Sequence, residues 1–156
     1  MNERAMRQFS ESLPMLLYGA LDAVMPRFRR IFKDFGITEQ QWRVLRVLWE
    51  HDRIGFGRLA ELTRIAAPSL VGVVDRVIAM GLVVRERSEE DRRVVYIAAT
   101  AEGRRLQREV MPRVVETYAE LRATLDDATW SNLLDGLKQV AALDPLPLPS
   151  DRAAND

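Results

Sequence analysis

Spread over 156 residues, the chain carries 47% hydrophobic residues and a formal net charge of zero, which suits one folded domain and excludes wholesale disorder. With no cysteine and one histidine, His51, disulfides, thiol redox sensing and thiolate or histidine-rich metal sites are excluded. No apolar run nears the ~18 residues of a membrane span, and the polar start "MNERAMRQFSES" lacks a signal-peptide core, so a cytoplasmic location with no membrane partner is expected.

In "SESLPMLLYGALDAVMPRFRRIFKDFG", Leu13, Leu16, Leu17, Leu21, Val24, Phe28, Ile31, Phe32 and Phe35 recur at helical spacing. Ser12 and Pro14 suit a helix start and Gly36 its stop. Pro26 should kink or interrupt this helix, because its ring clashes with the carbonyl four residues back. "TEQQWRVLRVLWEH" opens with Thr38 and has Gln41 three residues on, a capping-box signature. Trp42, Leu45, Leu48 and Trp49 form its buried stripe. "DRIGFG" is a break that can hold a very short strand. "GRLAELTRI" and "PSLVGVVDRVIAMG" read as two short helices around a tight turn, with Pro68 in the first turn of the second and Gly81 just past its end.

"LVVRERS" and "VVYIAA" are rich in β-formers and pair across a charged tip as a hairpin. Thr100 can cap the next helix, "AEGRRLQREVMPRVVETYAELRATL", with Leu106, Val110, Val114, Tyr118, Leu121 and Leu125 as its stripe and Pro112 interrupting it. Asp126 or Asp127 can cap a last helix, "ATWSNLLDGLKQVAAL", with Trp130, Leu133, Leu134, Leu137 and Val140 inward. "DPLPLPSDRAAND" alternates proline and leucine and reads as an extended tail.

A helix–turn–helix followed at once by a hairpin is a winged helix. An α-helix fits the major groove of duplex DNA, and a positive hairpin tip is attracted to phosphates or the neighbouring minor groove. Zero net charge argues mildly against nucleic acid, and the plainer account of the arginine usage is genome composition. Yet all cations except Lys33 and Lys138 are arginine, the better fork for phosphates, so their placement decides. In the second helix Leu70, Val73, Val74, Val77 and Ile78 make the inner face, and Val71 must be accommodated outside. The DNA-contacting set expected from it is Pro68, Ser69, Leu70, Gly72 and Arg76, with Leu70 counted on the inner face as well. Gly72 costs a helix about 0.8–1 kcal/mol relative to alanine, which close approach to DNA or to another helix would explain. The alternative for Arg76 is an ion pair with Asp75 or Glu61. At the tip, Asp91 and Arg93 emerge on one side if the stretch is extended, so the carboxylate braces an arginine aimed at the minor groove. Arg92 points the other way, toward a phosphate.

"LAELTRIAAPSLVGVVDRVIAMGLVVRE" followed by "DRRVVYIAATAEG" carries a resemblance. From about Ser12 to Leu143 the chain resembles the MarR family of winged-helix transcriptional regulators. Asp91, Arg93, Thr100 and Gly103 match the family's wing pattern. Three positions depart from it: Arg64 replaces a turn glycine, Ala66 a capping serine, and Gly72 a polar or basic reading residue. "TEQQWRVLRVL", "PSLVGVVDRV" and "MGLVVR" look more like the subgroup that regulates homoprotocatechuate, or aromatic-acid, catabolism operons.

The resemblance implies a mainly α fold with a small β-hairpin wing (α+β). Residues 12–36 and 101–143 would form a helical dimerisation region, 37–100 the winged DNA-binding lobe and 144–156 a flexible tail. It also implies a homodimer on a pseudo-palindromic operator in double-stranded DNA, and a repressor released by a small organic effector. That effector would bind between the dimerisation helices and the lobe. An aromatic acid needs an arginine for its carboxylate and an apolar slot for its ring, which makes Tyr18, Arg27, Trp42, Arg43 and Arg46 candidates. The bland alternatives are a core Trp42 and solvated arginines. No cofactor and no metal is expected. The competing function is a winged-helix protein-interaction module without duplex binding; an enzyme is not expected, since no phosphate loop or nucleophile elbow is present.

Overall fold

The computed structural model describes residues 9–88 and 94–143. Two compact units divide the chain, Met1–Tyr118 and Ala119–Asp156. The first opens with a 3-10 turn, Phe9–Glu11, and continues through α1 (Leu13–Asp34), α2 (Glu39–Glu50), β1 (Ile54–Gly55), α3 (Phe56–Thr63), α4 (Ala67–Ala79), β2 (Val83–Arg87) and β3 (Val95–Ala99). Helix α5 (Ala101–Arg122) begins in it and runs into the second unit, which also holds α6 (Asp127–Ala141). The architecture is mainly α with a small antiparallel sheet.

Local chemistry accounts for the helix ends. Thr38 Oγ1 accepts from Gln41 N–H at 3.3 Å, and Gln41 Oε1 accepts from Thr38 N–H at 2.8 Å, so the expected capping box starts α2. Thr100 Oγ1 accepts from Gly103 N–H at the start of α5, and Asp126 accepts from Thr129 N–H at the start of α6. Beyond α1 and α4 the chain turns at Gly36 (φ 68°) and Gly81 (φ 72°), a left-handed conformation that glycine adopts without a Cβ penalty.

Neither proline interrupts its helix: α1 continues through Pro26 and α5 through Pro112. Each removes one N–H from the ladder, orphaning the carbonyl of Asp22 or Arg108. Those residues and both prolines are exposed, so water can serve the carbonyl while the flanking turns hold the helix.

The core lies in the first unit. Phe28, Ile31 and Phe32 of α1 meet Leu45 and Leu48 of α2, Leu59 of α3, Val73, Val74 and Val77 of α4, Ile97 of β3 and Val110 and Val114 of α5. Each such side chain contributes about 1.5–3 kcal/mol when buried. The sheet order is β1–β3–β2. Val83 to Arg87 pair antiparallel with Ala99 to Val95, and the two residues of β1 add a third strand through Ile54 opposite Ile97. Where α5 starts, Gly103 packs on the end of α4 so closely that a Cβ would stand 2.2 Å from Leu82 O. Only glycine fits there.

The inward stripe expected on α6 is corrected by the structure. Leu133, Leu134, Leu137 and Val140 are exposed on this single chain. Periodicity identified an apolar face but not what covers it. On α1 the apolar row likewise divides: Leu13, Leu16, Tyr18 and Leu21 are exposed, whereas Phe28, Ile31 and Phe32 are buried. The proline-rich tail, residues 144–156, lies outside the described residues.

Candidate nucleic-acid interface

Helix α4 presents two unlike faces. Val73, Val74 and Val77 are buried, while Pro68, Ser69 and Arg76 are exposed. Leu70 departs from its expected place in the DNA-contacting set. It is fully buried, because one turn before Val73 and Val74 it falls on the inner stripe, and its side chain is not available to a groove. Val71 is exposed, as the helical wheel requires.

Among the described residues nothing packs against Gly72 closely enough to require a glycine. A Cβ there would meet only Arg76 Nη1, at an ordinary 3.4 Å. The two acids expected as partners for Arg76 are engaged elsewhere. Asp75 is paired with Arg85 of β2 at 2.5 Å, and Glu61 with Arg58 at 2.7 Å. Among the described residues Arg76 forms no ion pair. The Asp75–Arg85 pair also ties the middle of α4 to the wing strand. A small residue beside an uncompensated guanidinium suits close approach of a phosphodiester backbone.

The turn before α4 replaces glycine with Arg64, which sits at φ 51°, ψ 38°. A left-handed non-glycine residue costs about 1–2 kcal/mol, and the site is held by Arg64 N–H and Ile65 N–H donating to carbonyls of α3. From α2, Arg43 Nη1 donates to Thr63 O at 3.2 Å, bracing the same turn. Ala66 caps α4 without a side-chain hydrogen bond.

In the wing, the β2–β3 ladder extends one step past Arg87, where Ser88 N–H donates to Val94 O at 3.0 Å. The expected contact residues Asp91, Arg92 and Arg93 lie outside the described residues.

The effector candidates do not converge equally. Trp42 is half-buried in an aromatic run: it stacks on Phe32 (4.6 Å, 22°) and meets Trp49 edge to face (5.5 Å, 79°). Phe32 in turn neighbours Phe28, whose ring lies 4.9 Å from Tyr118. Arg46 pairs with Glu50 at 2.8 Å. Arg43 lies 3.9 Å from Glu39 and keeps a buried Nε without a hydrogen-bond partner among the described residues. Tyr18 is exposed on α1 and lines a shallow apolar groove of about 340 Å³ with Leu13, Pro14, Leu17 and Leu21. Among the described residues no ring contact or hydrogen bond joins Tyr18 to Trp42, Arg43 or Arg46. Arg27 is exposed on α1. The sequence reading missed Phe32, Trp49 and Tyr118 as members of this run, although Trp42 and Trp49 stand seven residues apart on one helix face.

Displaced ionisations occur on α5 and at the start of α6 as surface interactions. Hydrogen bonding from Arg105 holds the Glu102 carboxyl below its ordinary range. The Thr129 N–H does the same for Asp126, the N-cap of α6.

Comparison with known proteins places these features. The MarR family model matches residues 37–95, the span from the end of α1 to the start of β3. The transcriptional regulator FarR of Neisseria gonorrhoeae is 36% identical over 133 residues, covering 85% of this chain and 91% of FarR. The homoprotocatechuate degradative operon repressor of Escherichia coli is 35% identical over 133 residues, covering 85% and 90%. The crystal structure of NadR in complex with 4-hydroxyphenylacetate superposes with a TM-score of 0.74 at 36% identity, covering 85% of this chain and 94% of NadR.

Proposed function

Because this chain belongs to the MarR family of DNA-binding transcriptional regulators, we propose that it acts as a homodimeric repressor on a pseudo-palindromic operator and is released by a small aromatic acid. The observation that carries the DNA contact is the outer face of α4, where Ser69, Gly72 and Arg76, which has no ion pair among the described residues, stand opposite a packed inner face. Residues 37–100 form the DNA-binding lobe. Ser69 bonds a base edge or phosphate, Arg76 a phosphate, and Arg93, braced by Asp91, the minor groove, with Arg92 on the backbone. Zero net charge does not oppose this, since Glu61 and Asp75, two acids near Arg76 in the chain, are paired with Arg58 and Arg85, and binding responds to the local field.

Residues 12–36 and 101–143 supply the dimer contacts. The exposed leucines of α1 and those of α6 are apolar faces of the kind that a partner subunit covers. Dimerisation sets the two α4 helices about one DNA turn, ~34 Å, apart.

The effector is a hydroxylated aryl carboxylic acid. Trp42 offers a ring face, and Arg43 and Arg46 are the cations nearest it in sequence, with Arg43 holding a buried donor in reserve. Tyr18 and Arg27 are contributed from α1. Support comes from relatives named for homoprotocatechuate degradation and for a bound 4-hydroxyphenylacetate. The acid releases DNA to the extent that it prefers a spacing of the two lobes that the operator does not accept. Such a regulator works in the cytoplasm, without a membrane partner.

The test is a fluorescence-anisotropy titration on duplex taken from DNA flanking the gene, without and with 4-hydroxyphenylacetate. The expected result is tight binding that the acid weakens. Binding unmoved by this acid and by related aryl acids would remove the effector class, and no binding to any flanking duplex would remove the operator.

A further inference from the structure

The start of α5 is gripped from two sides. From α2, the Trp49 indole Nε1–H donates to Gly103 O at 3.1 Å, a buried bond. Arg104 answers with Nη1 donating to Trp49 O at 2.9 Å and Nη2 to His51 O at 3.4 Å. From the end of α4, Thr100 N–H donates to Leu82 O at 3.0 Å and Thr100 Oγ1 donates to Gly81 O at 2.7 Å. Gly103 leaves no room for even a methyl group against Leu82 O. One short segment, residues 100–104, therefore fixes the ends of α2 and α4 to a single point.

Trp42 and Trp49 lie two turns apart on one face of α2 and touch ring to ring. A molecule that displaces Trp42 from its stack on Phe32 must disturb Trp49 or shift α2 as a body. Trp49 cannot withdraw without stranding a buried N–H and a buried carbonyl, which is costly. The contact with Leu82 is a backbone contact with no rotamer to yield.

We infer that Trp49 is a positioning residue for the effector response: its N–H bond to Gly103 passes a displacement at Trp42 to the start of α5 and, through Leu82, to the end of helix α4. This rests on the proposed aromatic-acid site beside Trp42 and deepens it.

Trp49→Phe keeps an aromatic ring against Trp42 and removes the donor together with part of the indole's bulk, which the melting temperature monitors. Three quantities are measured on the full chain: melting temperature, direct calorimetric binding of 4-hydroxyphenylacetate, and operator affinity with and without saturating acid. In the wild type the acid should weaken operator binding about tenfold or more, inside the ~5–150-fold range usual for coupled sites. In Trp49→Phe, acid binding and acid-free operator binding should stay within about threefold of wild type, while the weakening by acid falls below about threefold. An unchanged ratio overturns the inference, as does loss of acid binding itself, which would make Trp49 part of the ligand pocket. Should Trp49→Phe fail to fold, Arg104→Ala, which removes the return bonds from a half-buried side chain, must reduce the same ratio; a wild-type ratio there overturns the inference. A wild type that does not bind the acid sinks the effector reading and takes this inference with it, whereas a wild type that binds and responds, beside a variant that responds equally, sinks the inference alone.

Discussion

Among the described glycines, Gly103 is the one at which an added Cβ would collide with backbone, and Gly103→Ala makes that collision. The added Cβ would stand 2.2 Å from Leu82 O and 3.2 Å from Leu82 C. A carbon–oxygen contact settles near 3.3 Å, so the start of α5 must back away by about 1 Å. The obstacle is a carbonyl oxygen that also accepts from Thr100 N–H at 3.0 Å, and Gly103 O is the acceptor for Trp49. Overpacking of a rigid core contact costs about 1–3 kcal/mol, and each weakened hydrogen bond about 0.5–1.5 kcal/mol. Replacing a helical glycine returns about 0.5–1 kcal/mol. The net expectation is destabilisation by about 1–3 kcal/mol, a urea midpoint lower by roughly 1 M for a typical slope. Wild type and variant must be unfolded at equal protomer concentration, because a dimer's apparent stability depends on it. A midpoint equal to or above wild type would refute the claim that this glycine is held by close approach.

Arg76→Ala should leave thermal stability within ~0.5 kcal/mol and flatten the slope of log affinity against log salt by about one unit per subunit; unchanged slope and affinity would return Arg76 to the solvated surface. Arg93→Ala should weaken operator binding markedly while size-exclusion chromatography still reports the dimer, and a variant that binds a natural operator as tightly as wild type removes that arginine from the groove. The pH dependence of Asp126 has a definite sign. Its carboxyl is held below the ordinary value by the Thr129 N–H, so its contribution is complete above the ordinary aspartate range, ~3.9, and fades as pH falls through that range toward the lower folded value. Asp126→Asn keeps a capping oxygen that does not titrate, so its urea midpoint should fall less on acidification than that of wild type; identical pH profiles would refute the cap's role.

What was legible in the sequence was local. Thr38 and Gln41 announce α2 because a capping box spans four consecutive residues, and Val73, Val74 and Val77 announce the inner face of α4 because one helix fixes their spacing. Contacts between distant residues were not legible. The two residues of β1 gain their strand identity only from Tyr96 and Ile97, far along the chain. Trp49 finds its acceptor at Gly103, and a list of aromatic residues does not say which carbonyl an indole meets. Arg76 illustrates the same limit: its isolation follows from Asp75 choosing Arg85 and Glu61 choosing Arg58, which no spacing rule encodes. Leu70 stood in two roles until burial settled it in the core. On α6 the apolar period was legible and its cover was not, since a helix wheel names a face and not the surface that covers it.

Arginines that grip phosphates make duplex binding sensitive to salt, so the affinity for DNA flanking the gene should be followed against salt concentration. If the dimer neutralises about 6–10 phosphates, affinity should fall by roughly 10³–10⁵ between about 50 and 200 mM salt. Binding that is absent at low salt, or that holds level across that range, would contradict that grip.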